Sequence, residues 1–131
     1  MNTLREAIIQ YKTANPSPPN ACFVAKAPVQ ALQIHPLSGE SWVLPWGNFV
    51  SARLLIGKGS EQLAIAFIGY EALLQGVLLA QLLPDIATRR LELVYELPAN
   101  LHAQADKNRP FISRLTVRSR TDLTKSGAES F

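Results

Sequence analysis

From Ala21 to Gln75 apolar and polar residues alternate with a period of two, while the stretches on either side repeat their apolar residues at the spacing of helical turns. Period two marks half-buried strands, whose successive side chains point to opposite faces. Residues 21–26 make a first short strand. In residues 29–35, Leu32 and Ile34 oppose Ala31, Gln33 and His35, and Pro36-Leu37-Ser38-Gly39-Glu40 supplies the turn residues of a hairpin loop. The returning strand sets Trp42, Leu44 and Trp46 on one face. Pro45 has no N–H for a ladder, which predicts an edge position or a bulge, and Gly47 marks the bend after it. Phe49 to Ile56, the turn Gly57-Lys58-Gly59-Ser60-Glu61 and the strand from Gln62 to Gly69 spell a second hairpin, with Leu63, Ile65 and Phe67 alternating against Ala64 and Ala66. Tyr70 to Gln75 extends it by a third strand.

The helical spacings come at the two flanks. Thr3 and Glu6 stand as in a capping box, followed by a stripe of Leu4, Ala7, Ile8 and Tyr11, and this N-terminal helix gives way to a proline-rich connector at 13–20. In Val77 to Arg90, Leu78, Leu82 and Ile86 stack at i, i+4 beside Leu79 and Leu83, which predicts an apolar helix lying on a sheet. Pro84 predicts a kink or a restart within it. Leu91 to Leu97 and Phe111 to Arg118 alternate again, the latter with Arg114, Thr116 and Arg118 on one face. The fold class expected is therefore α+β: an N-terminal helix, an antiparallel β-meander over about residues 21–75, one apolar helix (77–90) packed on the sheet, and one or two further strands. Residues 1–118 are read as one domain and 119–131 as a polar C-terminal tail.

Composition agrees with a core that needs no staples, since 47% of the 131 residues are hydrophobic and 18% are charged. The one cysteine, Cys22, cannot form an intramolecular disulfide, which suits a reducing, cytoplasmic setting. The early charges Arg5 and Glu6 interrupt any secretory-type apolar run, and Glu71 interrupts the longest apolar stretch, so neither export nor a membrane partner is expected. The net charge of +3 is uneven. Up to residue 106 seven basic side chains face eight acidic ones, whereas six basic face two acidic after it. That concentrates positive charge at the C-terminal end.

No catalytic set emerges, and no cofactor is expected. His35 and His102 lack a second ligand at metal spacing. Ser38, Ser41, Ser51 and Ser60 lie in turns or strands without a glycine-flanked elbow. Cys22 sits in the apolar run Ala21-Cys22-Phe23-Val24, unlike a reactive thiolate. Gly57-Lys58-Gly59-Ser60 lacks the first glycine of a phosphate loop, position 52 being Ala52, and Glu92 and Glu96 are too far apart on one strand to couple.

Two surfaces remain. Trp42, Pro45 and Trp46 are candidates for an interaction surface on an edge strand, although two indoles sharing a strand face are most often core. Arg109, Arg114, Arg118, Arg120 and Lys125 are candidates for phosphate contacts. The function expected is a non-enzymatic protein-interaction module that associates with itself or another protein through an edge strand. The alternatives are a nucleic-acid-binding protein using the basic segment and a binder of small apolar ligands between the sheet and the helix of Leu78, Leu82 and Ile86.

Overall fold

A computed structural model of the protein describes residues 20–120. The expected N-terminal helix, nearly all of the proline-rich connector and, past Arg120, the polar tail with Lys125 lie outside the described residues. Eight strands form in order: β1 (Cys22–Val24), β2 (Ala31–His35), β3 (Trp42–Pro45), β4 (Phe49–Ile56), β5 (Glu61–Phe67), β6 (Tyr70–Val77), β7 (Leu91–Tyr95) and β8 (Phe111–Ser119). They make two four-stranded sheets, β1-β7-β2-β3 and β4-β5-β6-β8. Strands account for 49% of the described residues and the helical run at residues 79–87, 3₁₀ turn included, has only 9, so the class is mostly β and the α+β expectation is corrected. No helix among the described residues is long and apolar enough to cross a membrane.

The single meander expected over 21–75 divides at Trp46–Asn48, where one 3₁₀ turn carries the chain from the first sheet to the second. β2 and β3 form the first hairpin and β4, β5 and β6 an antiparallel meander. β7 does not extend that meander. It inserts between β1 and β2, antiparallel to β1 and parallel to β2, with Ile34 opposite Val94. β8 then closes the second sheet beside β6. A shift in register at Gln75/Gly76 turns both Phe111 and Ile112 into buried positions, which simple alternation would have separated. The inner faces of both sheets supply one core, including Leu32, Ile34 and Val94 from the first and Leu63, Ile65 and Leu74 from the second.

The long apolar helix over 77–90 is absent. Its first residue, Val77, ends β6, then Leu79–Leu82 turns as 3₁₀ and Leu83–Ala87 as a short helix, α1. Leu78 takes φ 59°, a left-handed conformation that breaks any continuous helix from Val77. The Oε1 of Glu61 then accepts the N–H groups of Leu79 (2.7 Å) and Ala80 (3.3 Å), which a helix start leaves without internal partners. Pro84 stands in the first turn of α1, where a missing N–H costs nothing, so the predicted restart occurs there. Leu79, Leu82 and Ile86 are still buried, filling the space in which an apolar ligand was envisaged.

Candidate functional site

The tryptophans face inward, as the core reading of the two indoles has it. Trp46 is 1% exposed; its indole N–H donates to the Leu91 carbonyl at 3.1 Å, and its ring lies 5.5 Å from Phe49 and 5.4 Å from Phe67. It therefore joins the sheets rather than a partner. Trp42 is half-buried against Tyr70, ring centres 5.3 Å apart. Pro45 is exposed on β3, which is an edge strand as its proline predicts. Because the next N–H, that of Trp46, points inward to the Gln30 carbonyl at 2.9 Å, position 45 faces the open edge, and the proline deletes a donor there.

The basic candidates are dispersed. Arg114 and Arg118 project from the exposed face of β8, but Arg118 is committed to Glu71 through Nε at 3.1 Å and Nη2 at 2.9 Å. Glu71 is the one charged residue found buried among the described residues, so diverting Arg118 to a phosphate would strand its carboxylate without a counter-charge. Arg109 lies in the loop before β8, 3.6 Å from Asp106. Arg120 follows β8, with its backbone N–H on the Gly69 carbonyl at 2.8 Å.

The groups considered for chemistry stand apart. Cys22 is buried, and that burial, aided by the Asp85 carboxylate, pushes its thiol up to about 12 and keeps it protonated. His35 stacks on Tyr95 at 5.3 Å, with Nδ1 2.9 Å from Ser41 Oγ, while His102 lies 4.9 Å from the Phe111 ring. No three potential metal ligands converge among the described residues. Two shallow clefts flank Arg109: one of about 170 Å³ beside His102, Asp106 and Lys107, and one of about 330 Å³ beside Cys22, Phe23 and Asp85.

The surface that the sequence reading missed is the free side of β4. This strand has eight residues, no proline and one charge, Arg53, and its one strand neighbour among the described residues is β5. The Gly57 N–H donates to the Ser60 carbonyl across the hairpin at 2.9 Å, and the register continues evenly from Ile56↔Glu61 to Ser51↔Ala66. Since alternate residues of an antiparallel strand turn their N–H and C=O to opposite sides, Arg53 and Leu55 bond to β5. Ala52, Leu54 and Ile56 thus aim theirs at the open edge. Around that edge Leu55 is 56% exposed and Ile56 73%, with Arg53 and Leu55 on the outer face and Ala52 and Leu54 packed toward the core. Nothing in the local sequence distinguishes this edge, because edge status depends on which distant strands pair elsewhere. The chain matches no family model, no curated protein and no solved structure.

Proposed function

We propose that the protein is a non-enzymatic protein-interaction module that self-associates through an edge strand, and that the strand is β4. One observation carries this reading: a row of backbone donors and acceptors at Ala52, Leu54 and Ile56 that no neighbouring strand among the described residues takes up, bordered by exposed Leu55 and Ile56. A long, proline-free, apolar edge is a template for a further strand, and natural sheets ordinarily blunt such edges with proline, charge or a bulge. β4 has one charge and confines its bulge to the Phe49/Ser51 end. Readings based on phosphate contacts or an apolar ligand draw less support, since Arg118 is already paired and Leu82 and Ile86 fill the core.

The test is Ala52→Pro. The ring removes an outward N–H and projects into the open side while leaving the β5 ladder in place. Wild-type protein is expected to assemble at micromolar concentration by light scattering, and the variant to remain monomeric with the same far-ultraviolet circular dichroism. A wild-type protein that stays monomeric, or a variant that assembles as well as wild type, overturns the reading.

A further inference from the structure

We infer that the strand added to β4 is β4 of a second copy, antiparallel, with Leu54 on the two-fold axis; this rests on the edge-strand reading above. A two-fold antiparallel pair is isologous, so each register is named by the residue that meets itself. Two constraints select among them. Outward-facing backbone groups must meet outward-facing groups, and outer-face side chains must meet outer-face side chains. Pairings of Ala52, Leu54 or Ile56 with odd-numbered neighbours violate both.

Four registers remain within the regular part of β4, of which centring on Ala52 overlaps only its start and leaves the Ile56 N–H and C=O open. Centring on Arg53 sets two guanidinium groups directly opposite each other, a like-charge pair that disfavours the ladder. Centring on Leu55 overlaps only the end of the strand and leaves the Ala52 N–H and C=O open. Centring on Leu54 pairs Leu54 with itself and Ala52 with Ile56 of the second copy, so every outward backbone group of these residues gains a partner. On the inner face, highly exposed Ile56 then lies over the small Ala52 side chain. On the outer face each Arg53 stands beside Leu55 of the other copy, where its aliphatic stem covers that side chain and the guanidinium reaches water. The result is one continuous sheet of two second sheets joined edge to edge.

The registers are separable with two exposed positions, Arg53→Cys and Leu55→Cys, in the full chain. In each register the relevant residues form a non-hydrogen-bonded pair, with Cα atoms about 4.5 Å apart, within the roughly 4.4–6.8 Å span of a disulfide. Native Cys22 is buried and does not compete. Under mild oxidation, a mixture of the two variants is expected to give predominantly the mixed covalent dimer, with each variant alone giving little. Self-linking of Arg53→Cys alone, or of Leu55→Cys alone, overturns the register while the edge reading stands. No covalent dimer in any arm, together with monomeric wild-type protein, overturns both. A second readout needs no substitution: amide hydrogen exchange at Ala52, Leu54 and Ile56 of wild-type protein is expected to slow at least tenfold from dilute to concentrated solution. Exchange there that is independent of concentration counts against the proposal.

Discussion

The first and second sheets have four strands each, yet they are held together and terminated in opposite ways. In the first, strands of three to five residues are assembled from distant parts of the chain, the parallel pair bringing Gln33 to Leu93. In the second, strands of seven to nine residues are mostly joined by tight hairpins. The edges differ to match. β1 is short and irregular in register, and β3 is short and carries Pro45 on its open side, so the first sheet offers little to a further strand. β4 offers a long regular edge. Short strands need their neighbours and their core to persist, whereas long local hairpins carry more of their own pairing, and this asymmetry leaves the second sheet free to extend.

The largest expected effect comes from breaking the link between the two sheets. Trp46→Ala removes an indole packed on Phe49 and Phe67 and leaves the Leu91 carbonyl without its donor. The cost is about 3–5 kcal/mol, measurable by urea denaturation. If the sheets differ as argued, amide exchange in β2, β3 and β7 should accelerate more than in β5 and β6. Equal acceleration would mean that the two sheets open as one unit and that strand length does not set their local stability.

A smaller effect follows from Cys22 on β1. Its thiol is raised from an ordinary 9.0 to about 12, first by burial and then by Asp85. The sign follows from linkage: below 9.0 both folded and unfolded chains hold the proton, but above it the unfolded chain releases it first. The stabilisation is therefore complete below that value and is lost as pH rises toward 12, by about 1 kcal/mol for each pH unit. Tyr95, on β7 and raised by burial and by Glu92, adds in the same direction. Cys22→Ala should flatten the decline between about pH 9 and pH 11, because the titrating thiol is gone. An unchanged slope would locate the alkaline sensitivity outside the first sheet's β1 edge.

The difference between the sheets also explains what the sequence disclosed. The second sheet's hairpin was legible because Gly57 to Glu61 is a local turn signal, and β5 and β6 follow their alternation closely. The strands β7 and β8 were legible as strands, but nothing near Leu91 or Phe111 specifies that one inserts beside Ile34 and the other beside Leu74. Leu78, Leu82 and Ile86 have the spacing of a helix over 77–90 only by coincidence, since Leu78 lies just past β6, Leu82 ends the 3₁₀ turn and Ile86 belongs to α1. The sign of a break, the left-handed Leu78, has no marker in residue type. For the site, Pro45 correctly signalled an edge, but alternation put Trp42 and Trp46 on one face without saying that this face was the core. The open edge of β4 follows only from the pairing of the other seven strands of the described residues.

The smallest effect concerns the proline itself. Position 45 faces the open side of β3, so Pro45→Val restores one outward N–H and a strand-favouring side chain without touching the β2 ladder. Made in the Ala52→Pro background, where β4 is blocked, the substitution asks whether the first sheet's edge is closed by its proline or by its length. β3 has four residues, and with Trp46 turned inward only positions 43 and 45 present donors to the open side. Two donors on so short a strand cannot support a stable ladder, so the double variant is expected to remain monomeric at micromolar concentration, with at most a weak increase in association by sedimentation velocity. Recovery of wild-type assembly would show that proline alone separates the two edges, and strand length would drop out of the comparison.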